Sequence, residues 1–369
     1  MPLAMEGNQK LSDLCEVFYV GGKYIKDDRG THMSGQICVR RFGKKVDNRP
    51  AIIYIHGAAQ TGTHWESTPD GRPGIALLQA DEGWECYVVD QPGVGRSRYH
   101  AHDLGELTHY TVEELEESFT APPHDSYPQA KLLTQWPGTG KRGDAFFDAF
   151  YASQVGHRAK YRDVERTFRP LAKDLLSRTG PAFLVTHSQA GLVGWHIADE
   201  CPDMVKGIVA LEPNGPPFIY PGMPKFYTRT QVVQPGTFVR PFGITSTPLT
   251  YDPPLPDGAK FLEFTRDSNG TQDKNRVPGA RLKDPAPKLP NLASIPIVVV
   301  TAEASYHATY DHHTVQFFHD TGVPVEHVYL ADRGIRGNGH LFAIEKNNKE
   351  IQQFISQWLT ETMAKNASK

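Results

Sequence analysis

Five short runs, residues 51–55, 86–89, 183–185, 208–211 and 297–300, are almost wholly apolar and are bounded by turn residues. A strand with one wet face alternates apolar and polar positions; runs without that alternation suit strands covered on both faces, as in a parallel sheet. Residues 325–330 add a sixth strand, and 16–25 with 36–41 read as a leading antiparallel pair. Helical patterns separate several of these. Tyr161, Val164, Phe168, Leu171 and Leu175 recur at spacings of 3, 4, 3 and 4, with Pro170 kinking or restarting the helix because it lacks an N–H. Residues 189–200 read as a helix ended by Pro202, and 350–363 as a terminal one. Strands alternating with helices specify an α/β fold, a mostly parallel central sheet flanked by helices.

Two stretches break that rhythm. Residues 99–160 and 214–292 are rich in Pro, Gly and aromatic residues, and connections that long inside one domain are usually functional lids or extra substructures. The first reads as a cap insertion and the second as a cap or lid insertion, which leaves 1–98, 161–213 and 293–369 as the core. One large core with insertions suits 369 residues, since α/β folds often use about 250 or more as one unit. No internal repeat or low-complexity tract is evident.

Composition narrows the function classes. Lys and Arg number 39 against 42 Asp and Glu, a net charge of −3, too near neutral for a nucleic-acid partner bound through phosphate neutralisation. With 39% hydrophobic and 22% charged residues the chain can bury a core, which excludes wholesale disorder. No stretch approaches about 18 consecutive apolar residues, and the start, MPLAMEGNQKLSD, lacks the basic flank and apolar segment of a signal peptide. Cys15, Cys38, Cys86 and Cys201 are scattered, so neither a zinc site nor a disulfide framework is indicated. The sequons at Asn269 and Asn366 then read as chance, and the terminal Ala-Ser-Lys is not a peroxisomal address. The expectation is a cytoplasmic chain with no membrane partner.

The string Phe183-Leu-Val-Thr-His-Ser-Gln-Ala-Gly-Leu runs an apolar strand into Ser188 and then into a helix. A serine at such a turn projects its hydroxyl over the sheet edge, while the helix start offers unpaired N–H groups to a developing oxyanion. Ser188 is the candidate nucleophile, with a plain helix N-cap as the bland alternative. Here the sequence resembles the α/β-hydrolase superfamily, whose elbow is G-x-S-x-G; Thr186 and Ala190 stand at the two glycine positions. Ile53-Tyr-Ile-His-Gly-Ala-Ala-Gln-Thr-Gly resembles the His-Gly oxyanion loop of the same superfamily, and Asp90-Gln-Pro-Gly-Val-Gly-Arg-Ser resembles its D-x-P-G-x-G-x-S turn. By that likeness the oxyanion donors are the backbone N–H groups of Ala58, with Ala59 as a further candidate, and Gln189. A different string, Gln135-Trp-Pro-Gly-Thr-Gly-Lys-Arg, looks like a phosphate loop but lacks its first glycine, its final Ser/Thr and a preceding strand, so no nucleotide cofactor is expected.

Serine needs a base, and the base an orienting carboxylate. His340, in Arg336-Gly-Asn-Gly-His-Leu, lies after the last expected strand and behind two glycines that let a loop arch back; superfamily order puts the triad histidine there. His307, His312, His313 and His319 compete and invite a metal reading, but with no zincin-like carboxylate pattern they read as surface or helix-lining histidines, and no metal is expected. Two carboxylates are candidates. Glu303 follows the 297–300 strand, where most α/β-hydrolases carry the acid. Glu212 follows the 208–211 strand, 24 residues beyond the serine, as in a bacterial esterase branch with a Ser-Glu-His triad. The likeness extends to Gly337-Asn-Gly-His340 and the trailing Glu345-Lys-Asn-Asn, and favours Glu212 with Glu303 as the alternative.

The resemblance implies a serine esterase or lactonase that works through an acyl-enzyme. Trp136, Phe146, Phe147, Phe150, Tyr151, Phe218, Tyr220, Phe226, Tyr227, Phe238 and Phe242 all lie in the insertions and together favour an apolar or aromatic pocket, hence a small-molecule substrate with a bulky apolar part. The same triad would also serve a biosynthetic acyltransferase, cyclase or lyase behind a closed lid, and the scaffold alone would serve a small-molecule receptor. The sequence leaves a homo-oligomer open.

Overall fold

In the computed structural model, residues 15–158, 160–222, 234–267 and 273–367 are described; the opening MPLAMEGNQKLSD, Phe226, Tyr227 and the sequon at Asn269 lie outside them. The main sheet contains β1 (Cys15–Asp27), β2 (Gly30–Phe42), β3 (Ala51–Ile55), β4 (Cys86–Asp90), β5 (Ala182–His187) and β6 (Val205–Leu211), and a separate two-stranded ribbon follows, β7 (Phe264–Asp267) with β8 (Gly279–Leu282). β9 (Ile297–Thr301) and β10 (Val325–Tyr329) complete the main sheet in the order β1-β2-β4-β3-β5-β6-β9-β10. β1 and β2 form the expected antiparallel hairpin, β2 runs antiparallel to β4, and every pair from β4 to β10 is parallel.

The uniformly apolar runs resolve into two sides. Ile53, Ile55, Leu184, Ile208, Ala210, Ile297 and Val299 face one hydrophobic core, and Ile52, Tyr54, Phe183, Val185, Val209, Leu211, Val298 and Val300 face the other. Two apolar faces are what removes the polar alternation from such strands.

The longer helices are α1 (Ile75–Asp81), α2 (Ala145–Ala152), α3 (Tyr161–Phe168), α4 (Ala172–Thr179), α5 (Ala190–Glu200), α6 (Asp311–Asp320) and α7 (Asn348–Ala367). α3, α4, α5 and α6 bury residues in the first core, and α1 and α7 in the second. Pro170 acts as expected, since a 3-10 turn at Arg169–Leu171 separates α3 from α4.

Residues 99–160 carry short helical turns and α2. Leu115, Phe119, Trp136, Phe146, Phe147 and Phe150 form a third apolar cluster that packs against Tyr306, Tyr310, Leu341 and Ile344. Within that stretch the loop resembling a phosphate binder is a helix entry: Asp144 accepts N–H bonds from Thr139, Phe146 and Phe147. In residues 214–292, Phe218 stacks on Phe264 of the ribbon at 4.7 Å and meets Phe317 of α6.

The parallel register brings the carboxyl ends of β3, β5, β6 and β9 side by side, pairing Ile55 with Thr186, His187 with Leu211, and Leu211 with Val300. The apolar runs stop one to two residues short of the ends of β4, β5 and β9 because Asp90, Thr186, His187 and Thr301 are polar. Of these, His187 lines the cavity that Ser188 lines.

Candidate active site

Ser188 occupies the turn between β5 and α5 with a left-handed backbone, φ +54°. A side-chain-bearing residue holds that conformation only where the surroundings enforce it. Here its N–H donates to Leu211 O at 3.0 Å, and its C=O accepts from Gly191 and Asn214 at 3.0 and 2.9 Å. The turn is also tightly packed: a Cβ on Gly57 would lie 3.0 Å from Ser188 Cβ, and one on Gly191 would lie 2.5 Å from Pro213 Cβ. Thr186, at the position where the family elbow has glycine, finds its room against Gly194, where an added Cβ would come within 2.9 Å of the Thr186 methyl.

The loop after β3 is held by polar clamps. The His56 Nδ1–H donates to Gly57 O at 2.8 Å while Nε2 accepts the Gln91 N–H at 3.1 Å, which fixes the ring's tautomer. Asp90 accepts from Gly62 N–H at 2.7 Å and from Arg96 N–H and Nε at 2.9 and 3.0 Å. The Ser97 hydroxyl closes the turn on Asp90 O at 2.7 Å. The D-x-P-G-x-G-x-S string is therefore a brace that fixes the neighbouring His-Gly loop. Ala59 in that loop is also left-handed, φ +58°, and its C=O accepts from Val155 N–H at 2.9 Å. The Ala58 and Gln189 N–H groups donate to no group of the described chain, and both residues line a cavity of about 180 Å³ together with Ser188, Gly57 and His340.

His340 meets Glu212. Its Nδ1–H donates to Glu212 Oε2 at 2.6 Å, with the two side chains 3% and 0% exposed. Glu212 follows β6 with a left-handed φ of +44°, and its carboxylate also accepts the Ala302 N–H at 2.8 Å and the Ser305 hydroxyl at 2.7 Å. Burial and the nearby Asp311 push this carboxyl up, against the pull of those two donors. Burial, with the imidazoles of His187, His307 and His64 close by, holds His340 well below the ordinary 6.5.

Glu303 lies apart from that imidazole. It accepts from Arg336 Nη1 at 2.7 Å and from Gly337 N–H at 2.8 Å, so it anchors the loop that carries His340. Glu345, fully buried, anchors the same loop by accepting the Gly339 N–H at 3.0 Å and the Asn338 side-chain amide at 2.8 Å. Burial pushes Glu345 up to about 7 in spite of both donors.

The other histidines separate into different settings. His187 donates from Nε2 to His340 O at 2.9 Å and lies against the His340 and His64 rings at 4.6 and 5.2 Å, and burial lowers it to about 4. His307 stacks on His340 at 4.8 Å and 6°, with Nδ1–H on Asp311 Oδ1 at 2.8 Å. His313 and His319 donate to the Val277 and Val325 carbonyls, so the four histidines of residues 307–319 do not converge. Among the described residues two groups do bring ligand atoms within 4.8 Å, Asp27-His32-His100 and Glu212-His307-His340. In the second, the facing atoms of Glu212 and His340 already bond each other.

A larger cavity of about 800 Å³ also reaches Ser188. The insertion aromatics line these spaces less than expected. Phe150 lines the small cavity, and Tyr220 and Phe242 line the large one, whereas Trp136, Phe146, Phe147 and Phe218 are core side chains of the packed insertions.

A family model for the alpha/beta hydrolase family matches residues 52–351. The chain belongs to the alpha/beta hydrolase family. It is 41% identical over 351 residues to phiG, a probable secreted lipase of Fungal sp. (strain ATCC 74256), covering 94% of this chain and 90% of that one. Among solved structures, a novel bacterial esterase shares the fold, with a TM-score of 0.60 at 20% identity over 94% of this chain and 95% of that one. This alpha/beta hydrolase is thus lipase- or esterase-like. The relative's name speaks of secretion, against the cytoplasmic expectation; all four cysteines are unpaired, and among the described residues no helix is long and apolar enough to cross a membrane.

The two loop anchors differ in burial, and that difference is measurable. Glu345→Ala leaves buried N–H donors unpaired and is expected to lower stability by about 2–3 kcal/mol, against about 1 or less for Glu303→Ala, whose ion pair with Arg336 is open to water. Urea unfolding of both variants checks this, and equal losses would contradict it.

Proposed function

We propose that this hydrolase cleaves carboxylic esters or lactones through an acyl-enzyme on Ser188. The observation that carries the reading is the buried 2.6 Å hydrogen bond from His340 Nδ1–H to Glu212, made by a histidine that lines the same cavity as Ser188. With Nδ1 committed to Glu212, Nε2 is the nitrogen left to take the serine proton, and it returns that proton to the leaving alcohol. The negative charge that then develops on the substrate oxygen is met by the Ala58 and Gln189 N–H groups, an oxyanion hole supported by the fixed loop after β3. Glu212 holds the productive tautomer and stabilises the imidazolium, a cation that burial alone would oppose. The substrate is a small molecule whose bulky apolar or aromatic part occupies the larger cavity, with segment 214–292 capping that cavity and segment 99–160 the smaller one. We also infer a reducing compartment, on the strength of four unpaired thiols, one of them exposed.

Fluorophosphonate labelling followed by mass spectrometry tests the nucleophile without knowledge of the substrate. The label is expected on Ser188 and absent from Ser188→Ala, with thermal unfolding of the variant nearly unchanged; a label retained on another serine would remove the assignment. The acid is tested by two variants assayed side by side. Glu212→Gln is expected to lower kcat by up to roughly 10⁴-fold through the wrong tautomer and lost imidazolium stabilisation, and Glu303→Gln by less than about tenfold, since it acts only through its loop. The reverse order would move the role to Glu303.

The depressed His340 basicity has its own readout. The base works unprotonated, so a lowered pKa moves the loss of activity to more acid conditions: the acid limb of kcat/KM should fall below pH 6.5. A limb at or above that value would contradict the buried, imidazole-crowded setting.

A further inference from the structure

Ser188 stands where two chambers meet. Tyr161, Ser188, Asn214 and Tyr306 line both the small cavity and the large one of about 800 Å³. The small chamber carries charges of both signs, Arg158 and Glu114. Among the described residues the large chamber carries one sign only: Lys160, Arg162, Arg240 and Lys260 contribute to its lining, and no Asp or Glu does. Four cations with no carboxylate in the described lining do not follow from the overall composition, because the chain as a whole is slightly acidic.

Arg240 is the inner member of this group. It is 3% exposed, while Lys160, Arg162 and Lys260 are exposed around it. Its Nη1 donates to Pro216 O at 2.7 Å, and its Nη2 to Gly215 O at 2.9 Å and to Asn214 Oδ1. The side chain therefore braces the turn that follows Glu212, with the Tyr161 ring 5.4 Å from the guanidinium carbon. That bracing uses dipoles alone. Arg240 Nε is buried without a partner, and no carboxylate among the described residues pairs with the side chain. The partly buried Arg40, Arg96 and Arg169 differ, since they meet Glu66, Asp90 and Glu200.

A charge taken out of water is stabilised best by an opposite charge, and carbonyl dipoles supply only part of that. An anion entering this chamber meets a wall that holds a fixed guanidinium, its Nε–H buried and without a partner, and a cationic rim that raises its local concentration. We propose that the large chamber selects esters bearing a free carboxylate on the part of the substrate it holds, with Arg240 as the specificity-determining residue. Lys160, Arg162 and Lys260 draw that carboxylate to the mouth. The proposal rests on the ester-hydrolase reading above and adds a charge to its substrate class.

Two matched pairs of esters test it. Para-nitrophenyl hydrogen adipate and its methyl ester carry the carboxylate, or its neutral copy, on the acyl side; para-butanoyloxyphenylacetate and its methyl ester carry it on the alcohol side. One of the two acids is expected to exceed its neutral partner by about tenfold in kcat/KM. Arg240→Gln should lower kcat/KM at least tenfold further for that acid than for the neutral ester. The exposed double variant Arg162→Gln/Lys260→Gln, which spares the braced turn, should reduce the preference several-fold, as should about 0.5 M NaCl. Equal losses on acid and neutral ester in Arg240→Gln would mean bracing alone and would overturn the proposal, as would a preference untouched by the rim variant and by salt.

Calorimetric binding of adipamate, a carboxylate without an ester, to Ser188→Ala reads the chamber apart from turnover. It is expected to bind, and binding is expected to be lost when Arg240→Gln is added. Turnover of the esters with no preference for either acid would overturn the chamber and leave the hydrolase standing. Adipamate binding that depends on Arg240, with no turnover of any ester, would leave the chamber standing and overturn the hydrolase reading.

Discussion

The hydrogen bond between His340 and Glu212 joins residues 128 positions apart, and much of the local architecture is needed for it to form. Its acceptor sits on a left-handed residue just past β6, kept in place by donors from the residues that follow β9. Its donor sits on a loop held by Glu345 from below and Glu303 from the side. A parallel sheet makes this affordable because strand ends that are far apart in sequence lie one ladder spacing apart in space. The same alignment sets Ser188 beside Gly57 and Asn214, so two further chain segments converge without a helix or disulfide to tie them.

Much of this was legible in the sequence because it depends on local rules. A strand buried on both faces must be apolar throughout, and a turn with a left-handed residue must have small neighbours, so 51–55, 183–185 and the Ser188 elbow declare themselves. What stayed hidden depends on contacts between distant segments. Glu345 was visible only as part of a recurring string; that it holds the Gly339 N–H is a fact about a loop folding back on itself. His187 stood in the elbow string, yet its role against the His340 carbonyl requires knowing that the two loops meet. Glu303 and Glu212 were hard to separate because both are carboxylates just past adjacent strands, and which of them meets the His340 imidazole depends on a side-chain direction.

The insertions misled for a physical reason of another kind. Aromatic residues signal burial, and burial in a packed insertion has the same composition as burial in a pocket wall. Trp136 and Phe147 went to the first. The charges that do line the large chamber come from residues scattered between 160 and 260, too far apart in sequence to form a visible basic cluster.

The position of Ser188 between two chambers bears on what happens after the first bond breaks. On the proposed acyl-enzyme reading the substrate is divided at the serine, a residue that both chambers share. On that reading the next nucleophile would enter through the compartment vacated first. Whether that visitor is water or another alcohol is then a matter of how wet the empty chamber is. A cation-lined space refills with water readily, which tilts the outcome toward hydrolysis when the large chamber empties first, and leaves the narrow side as the place where transfer would have to be engineered.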